Sequence, residues 1–437
     1  MIPEEAKSEI IRKRDLGETW TGLARWLTNS YGISIHRTTV QRWYDRHILE
    51  QESESLDYLD SPEDRIKLDK KLLTHKQEAV FYKKLYTQVV QTQAKQELFN
   101  ETVQELIPSF KKVKPVSYSK PSGQIKGSSL QTVVAPLSDT HIGEYVDNEQ
   151  MMGMNVYSFD IFNRRLSGWT TQLIQLVNLR RNFAPIDDLI MPMLGDMVSG
   201  DIHDELARSN LDNCMEQMIR GANLIAQSLM TLAPHFKTIT VPCVVGNHGR
   251  MTRKPPMKDK YMDWDYMLYQ WVAAFCKDQK NITFSIPKSY INMFNVNNHR
   301  ILIMHGDSVS GGGSNMSITK AVTSLRGVFQ YKKNYELESG LGYLYDGEPL
   351  NFDSAMIGHF HRIDEIDIGT GELHICGCMK GPDEFALQRL HTATKPKQIV
   401  TYWHPTYGNI GKEIIYLNRY DTKASKFTDV LPEVWTS

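Results

Sequence analysis

Long apolar runs are what this 437-residue sequence most clearly lacks. No stretch of about 18 apolar residues is present, which excludes a bilayer-spanning helix. The first residues carry Glu4, Glu5 and Glu9 where a secretory leader needs a basic start and an apolar stretch, so the expectation is a soluble, cytoplasmic protein with no membrane partner. Cysteine is scarce and odd in number, at 214, 243, 276, 376 and 378. The one close pair, Cys376 and Cys378, has a one-residue gap that fits neither a redox pair nor a zinc knuckle, and buried free thiols in a reducing compartment are expected. Glycine and proline, 28 and 18 residues, are too few for a collagenous or low-complexity chain. Charge of one sign is lacking too: 50 basic and 51 acidic side chains give no molecule-wide positive field, so any nucleic-acid site must be local.

What is present divides the chain into four expected segments. Residues 1–50 read as a small all-α domain. Trp20, Leu23, Ala24 and Leu27 recur at helical spacing behind Thr19 or Thr21 as N-cap, Gly32 turns the chain, and a helix over about 37–47 buries Val40 and Trp43. Its outward face carries Arg37, Thr38, Gln41, Arg42 and Arg46, side chains able to bond base edges in a major groove. The stretch YGISIHRTTVQRW resembles the helix-turn-helix of transposase-like DNA-binding domains; a helical interaction domain with a solvated basic face is the alternative. Residues 51–110 read as a helical connector, without glycine between Ser61 and Leu106, that packs on the rest of the chain or self-associates. Residues 111–130 read as a basic flexible linker, with Lys111, Lys112, Lys114, Lys120 and Lys126 and no acid.

From Gln131 to the end, 131–437, apolar runs alternate with amphipathic segments, the pattern of an α/β domain. The first such helix places Phe159, Phe162, Leu166, Trp169, Leu173 and Leu176 at steps of three and four. Five apolar runs end in chemistry-bearing residues: Asp139-Thr140-His141, Gly195-Asp196, Gly246-Asn247-His248, His305-Gly306-Asp307 and Gly358-His359-Phe360-His361. The endings are 51 to 58 residues apart, room for a loop, a crossover helix and the next strand. Ligands in such sheets gather outside the carboxyl ends of the strands. Oxygen and imidazole donors with no thiolate among them suit divalent ions such as Mn, Fe or Zn, and Gly195, Gly246 and Gly358 suit sharp backbone turns beside such a cluster. One ending alone is an ordinary turn; five in one domain are not.

The order D-x-H, G-D, G-N-H, H-G, G-H-x-H resembles the calcineurin-like metallophosphoesterase superfamily over Asp139–His361. The form SDTHIG with HGD and GHFH resembles most the branch that holds double-strand-break repair nucleases and phage phosphoesterases. That resemblance implies a two-sheet sandwich flanked by helices, with the strand-like runs after His361 (ELHICGC, QIVTYWH, KEIIYLN) completing the second sheet. It implies two divalent metals, Mn foremost with Fe or Zn as alternatives: Asp139, His141 and His361 on the first, Asn247, His305 and His359 on the second, Asp196 bridging. It implies in-line phosphoester hydrolysis by a hydroxide held between the metals, with His248 stabilising the transition state or protonating the leaving oxygen. The sequence departs from the family at Gly249 and Arg250, where an acid often follows G-N-H, and at Ser199, where an acid is common. Relatives among the nucleases work as dimers with an ATPase partner; the chain has no P-loop of its own, so homo-oligomer and ATPase partner stay open.

The metal-site pattern does not select among phosphoesters. After the third ending, Arg250, Arg253, Lys254, Lys258 and Lys260 stand opposed only by Asp259. They are able to track a polyanion, or to form a solvated loop. With the N-terminal helices and the basic linker, they make a DNA nuclease or phosphodiesterase, phage-encoded relatives included, the leading expectation. A phosphatase or phosphodiesterase of small nucleotides or phosphoproteins is the second. A DNA-binding assembly protein with a non-catalytic phosphoesterase scaffold is the third.

Overall fold

The computed structural model describes residues 2–56, 115–119, 130–339 and 351–429; of 49–56 and 330–339 it describes the backbone alone. The chain divides into two compact units, Met1–Glu105 and Leu106–Ser437. Most of the expected connector and linker lies outside the described residues.

In the first unit, α1 spans Glu4–Asp15, α2 Trp20–Tyr31 and α3 Arg37–Leu56. Thr19 caps α2, its hydroxyl accepting from Gly22 N at 3.0 Å, and Gly32 ends it in the left-handed region at φ 66°. Ala6, Ile10, Leu23, Ala24, Leu27 and Val40 form a closed small core, with Trp20, Trp26, Ile35, Trp43 and Tyr44 packed around it. Arg37, Thr38, Gln41, Arg42 and Arg46 are all exposed. Helix α3 runs past the expected end at residue 47 because ILEQESESL holds neither Gly nor Pro and is rich in residues that cost a helix little.

The second unit is an α/β sandwich of two mixed sheets. The first has six strands in the order β11-β10-β1-β2-β3-β4: β1 Gln131–Val134, β2 Ile186–Ile190, β3 Thr238–Pro242 and β4 Ile282–Ser285 run parallel, β10 Lys397–His404 lies antiparallel beside β1, and β11 Gly408–Tyr416 lies antiparallel beside β10. The second has five, β5-β6-β7-β9-β8, from β5 Ile291–Val296, β6 His299–Met304, β7 Ser354–Ile357, β8 Asp364–Asp367 and β9 Glu372–Ile375. Between the sheets Val134, Ile190, Leu194, Val244 and Trp403 meet Phe294, Val296, Ile301, Ile303, Met356 and Cys376. The other face of the second sheet is covered by Ile318, Val322 and Phe329 of the helix Asn315–Ser339. Helix Phe159–Arg180 packs on Cys214–Leu232, which packs on Trp264–Phe275. Phe162, Leu166, Trp169 and Leu173 of the first are fully buried, as their spacing predicts. All five cysteines are free and buried. Among the described residues no helix is long and apolar enough to cross a membrane.

Two expectations are corrected. Only β9 of the last three strands joins the second sheet; β10 and β11 close the first, with Thr132 opposite Trp403 and Val134 opposite Thr401. Alternation and β propensity mark a strand but not its neighbour. The interval between the third and fourth endings holds a helix and two further strands, β4 finishing one sheet and β5 opening the other. Part of the expected flexible linker is also held fast: Val116 exchanges two hydrogen bonds with the Gln279 side chain (3.2 and 3.1 Å) and Tyr118 reaches Asp187 at 3.2 Å. The backbone groups of a segment lying on a folded surface need partners, and composition does not reveal them.

His374 on β9 is fully buried. Neither ring nitrogen makes a hydrogen bond, Nδ1 standing 3.4 Å from Glu365 Oε2. Burial pushes it down to about 4, against the pull of Glu365. The unfolded chain takes up a proton near pH 6.5 that the fold refuses, so this group's contribution is full above that pH and is lost as pH falls toward 4. His374→Phe is expected to shrink the stability loss between pH 7 and pH 5 by about 2 kcal/mol in urea unfolding; an unchanged loss would show that the ring is not the titrating group.

Candidate metal centre

The carboxyl ends of β1, β2 and β3 in one sheet and of β6 and β7 in the other deliver all five endings to one place. Asp139, His141, Asp196 and His305 are buried there, with Asn247, His248, His359 and His361 half-buried. Three sets of donors cluster closely enough to hold a metal ion: Asp139, His141 and His361; His141, Asp196 and His248; Asp196, His305 and His359. Asp196 is a member of two of these sets. Its Oδ2 stands 3.0 Å from His305 Nε2 and 4.0 Å from His141 Nε2, while its Oδ1 accepts from the backbone N–H groups of Asn247 (2.7 Å) and His248 (2.8 Å). Asp139 is placed the same way, Oδ1 and Oδ2 accepting from His359 N at 3.0 and 3.1 Å and Ser138 Oγ donating to Oδ2. Each carboxylate therefore ties its own loop to the next.

The backbone here is strained. Asp139, His141, Asp196, His359 and His361 have φ between 44° and 66°, a region non-glycine residues seldom occupy and which is held only where the surroundings impose it. This corrects the expected role of the glycines. Gly195 does sit at φ 87°, but Gly246 and Gly358 make no left-handed turn; they are sites of close approach. A Cβ on Gly246 would collide with Asp196 Oδ1, and one on Gly358 with Ser138 Oγ and, at 2.7 Å, Asp139 Oδ2.

The donors fit a divalent cation. His305 Nδ1 donates to Leu194 O at 2.8 Å, which leaves the Nε2 lone pair facing Asn247 Oδ1 at 3.1 Å and His359 Nδ1 at 3.2 Å. His141 Nε2 faces His361 Nε2 at 3.2 Å. Imidazole nitrogens, a carbonyl oxygen and carboxylate oxygens gathered at such distances are a donor set that a shared cation suits. Protons fill that place in part. Burial lowers His305, but Asp196 outweighs it and brings the ring up to about 10. His359 is pushed down to about 4 by burial and by His305, and His141 to about 4 by burial, Lys380 and His248. Burial opposes the charge on Asp196, and His305 and His248 outweigh it, holding the carboxyl well below its usual range.

His248 has no acid behind it. Its Nδ1 donates instead to the carbonyl of Ser199 at 3.0 Å, the position where an acid was expected, and its ring lies 4.5 Å from that of His141. The loop that follows differs from a row of cations open to a ligand. Arg250 is buried, its guanidinium donating to the carbonyls of Asn247, Thr252 and Arg253. Arg253 pairs with Asp204, and Lys260 with Asp307 at 2.6 Å. Lys254 and Lys258 stay exposed. The Arg250 guanidinium, beside a strained loop, caps carbonyls that would otherwise be buried without partners. Arg37, Thr38, Gln41, Arg42 and Arg46 belong to the first unit.

Sequence reasoning missed a pair of carboxylates. Asp263 caps the helix Trp264–Phe275 through Asp265 N. Asp265 accepts from Met197 N (3.0 Å), Val198 N (3.2 Å) and Gly246 N (3.0 Å), pinning the Asp196 loop to the Asn247 loop from beneath. Burial and then Asp196 push Asp265 up to about 7, and burial with Asp265 drives Asp263 well above the carboxylate range. The D-x-D ahead of an apolar helical stretch was the available signal, and it reads as a plain N-cap.

No protein-family model and no curated protein matches the chain. Solved structures similar to it include Vps29 of Entamoeba histolytica complexed with zinc (11% identity, 65% of this chain and 99% of that one, TM-score 0.26). They also include an archaeal phosphodiesterase (9%, 65% and 99%, 0.26) and a hypothetical protein from Pyrococcus horikoshii (11%, 65% and 88%, 0.31). At these identities and scores the likeness carries no functional argument, which rests instead on the chain's own residues.

Proposed function

We propose that this chain is a metal-dependent phosphodiesterase acting on DNA. The convergence of six oxygen and imidazole donors on Asp196, whose Oδ2 stands 3.0 Å from His305 Nε2 in one half of the cluster and 4.0 Å from His141 Nε2 in the other, carries the reading. Asp139, His141 and His361 hold one divalent ion, Asn247, His305 and His359 the other, and Asp196 faces both. Such ions, when bound, neutralise charge on a phosphoryl group and lower the pKa of water. Mn, Fe and Zn all suit the donors.

The chain's own residues supply the rest. Ser199 O fixes the His248 ring with a proton on Nδ1, so Nε2 is the nitrogen left for the substrate; carrying a second proton, it donates to a phosphoryl oxygen or passes that proton to the leaving oxygen. Asp196 and Asp265 hold the Asn247-His248 loop in register with the Asp196 loop, which positions these groups before substrate arrives. DNA as substrate is supported by the exposed face of α3, where Arg37, Thr38, Gln41, Arg42 and Arg46 lie on a small domain with its own core. The engaged cations Arg250 and Lys260 favour a second reading, a hydrolase of small nucleotides, because they remove part of the polyanion track expected beside the site, while Arg253, paired with Asp204 at the surface, stays exposed with Lys254 and Lys258.

Cleavage of end-labelled single- and double-stranded DNA with added Mn separates the two, with His248→Ala as control. The first reading expects the unaltered protein to cut and the variant not to. It also expects Arg42→Ala with Arg46→Ala to weaken duplex binding at least about tenfold while a small chromogenic phosphodiester is hydrolysed as before. Metal-dependent hydrolysis of nucleotides with no cleavage of DNA would put the second reading first.

A further inference from the structure

A chain of buried charge leads away from the centre through His141. Lys380 and Glu144 are 2% and 4% exposed. Lys380 Nζ lies 2.9 Å from Glu144 Oε1 and also pairs with Asp383. The second oxygen of Glu144, Oε2, stands 3.4 Å from His141 Nδ1. Both of these last atoms are sealed from solvent and neither has a hydrogen-bond partner, so each is the group nearest to satisfying the other. On the opposite edge of the same ring, Nε2 faces His361 Nε2 and, more distantly, Asp196.

The other imidazoles that face the centre are fixed differently. His305 Nδ1 and His248 Nδ1 donate to backbone carbonyls, Leu194 O and Ser199 O, neutral acceptors that set the tautomer and no more. His141 alone of these three meets a carboxylate at Nδ1, and that carboxylate is held in place by a buried ammonium group. A carboxylate behind a ligating imidazole does two things: it holds the proton on the far nitrogen, so the near one offers its lone pair, and it makes that lone pair more basic. We infer that Glu144, held by a Lys380 that Asp383 also binds, is a positioning residue that fixes His141 with its proton on Nδ1 and Nε2 turned to the metal it would share with Asp139 and His361. The inference rests on the metal reading given above. The local sequence suits this role, since Glu144 follows His141 by three residues and Glu144 N donates to His141 O at 3.1 Å, so one tight turn brings the carboxylate back under the ring. Lys380 comes from the segment after β9, whose neighbour Met379 N donates to Asp139 O at 3.0 Å. The ammonium is thereby tied to the same first-metal loop it serves.

Two readouts test this on the full chain. In metal-free protein labelled with ¹⁵N-histidine, the His141 ring, assigned by difference with His141→Asn, is expected to carry its proton on Nδ1. In Glu144→Leu, which leaves Lys380 paired with Asp383, it is expected to shift to Nε2 or a mixture. Calorimetric titration with Mn is expected to show one of two sites weakened about 10- to 100-fold in Glu144→Gln, with the other site and the metal-free melting temperature little changed. Retention of the Nδ1 proton in Glu144→Leu, or unaltered affinity at both sites in Glu144→Gln, overturns the inference. If the unaltered protein binds none of Mn, Fe and Zn, the metal reading itself falls, and the tautomer measurement still decides whether Glu144 sets the ring. If Glu144→Leu fails to fold, as circular dichroism would show, the tautomer is read in Glu144→Gln, where persistence of the Nδ1 proton together with full Mn affinity overturns it.

Discussion

Asp196→Ala is expected to lower metal-dependent hydrolysis of a small phosphodiester by at least about a thousandfold, roughly 4 kcal/mol of transition-state stabilisation, and to abolish paired metal binding in calorimetry. Asp196 belongs to two of the three donor clusters, one with His305 and His359, the other with His141 and His248. Removing its carboxylate deprives both halves of a shared anion at once. It also frees the N–H groups of Asn247 and His248, so a loss of activity in the alanine variant alone would mix chemistry with loop disorder. Asp196→Asn separates the two: the amide oxygen keeps an acceptor for both N–H groups but not the charge. The asparagine variant is expected to melt near the unaltered temperature and to remain inactive. Activity within tenfold of the unaltered protein in either variant would remove Asp196 from the centre.

Asp265→Ala is expected to cost about 3 kcal/mol or more of stability, because three buried N–H groups, of Met197, Val198 and Gly246, lose their acceptor at about 1–3 kcal/mol each. Relief of the repulsion from Asp196, which helps push Asp265 up to about 7, offsets part of that total. In a unit of this size the melting temperature should fall by about 4 °C or more, and Mn affinity should fall with it, since the loops carrying Asp196 and Asn247 would no longer share a support. Asp265→Asn, which keeps one oxygen but turns an N–H toward a donor, should lie between. A melting temperature within about 2 °C of the unaltered protein would mean that water or a local shift satisfies those N–H groups.

The candidate donors were legible because oxygen and imidazole side chains at the end of an apolar run, three times directly behind a glycine, form a local pattern, repeated five times. All eight residues named from it, Asp139, His141, Asp196, Asn247, His248, His305, His359 and His361, lie together in the fold. The cations after His248 misled, because a run of Arg and Lys looks alike whether it faces solvent or closes on carbonyls and acids. Arg250 is buried among backbone oxygens, and Arg253 and Lys260 are paired with Asp204 and Asp307. Asp265 and Glu144 escaped notice for a related reason: each acts on groups brought near by folding, and nothing in the immediate sequence separates them from a helix cap or a surface acid.

By itself the sequence marked out the Asp, Asn and His endings that the fold gathers, the α/β class of their domain and the exposed set of α3. These follow from side-chain chemistry and from hydrophobic periodicity, which are properties of short windows. Only the tertiary structure decided that β10 and β11 belong to the first sheet, that the ligands rather than Gly246 and Gly358 take the left-handed backbone, and that a carboxylate and a buried lysine stand behind His141. Each of those depends on which distant segments meet. Strand pairing, close approach and the sharing of a buried charge are set when the two sheets pack and bring residues up to about 270 positions apart within hydrogen-bonding distance.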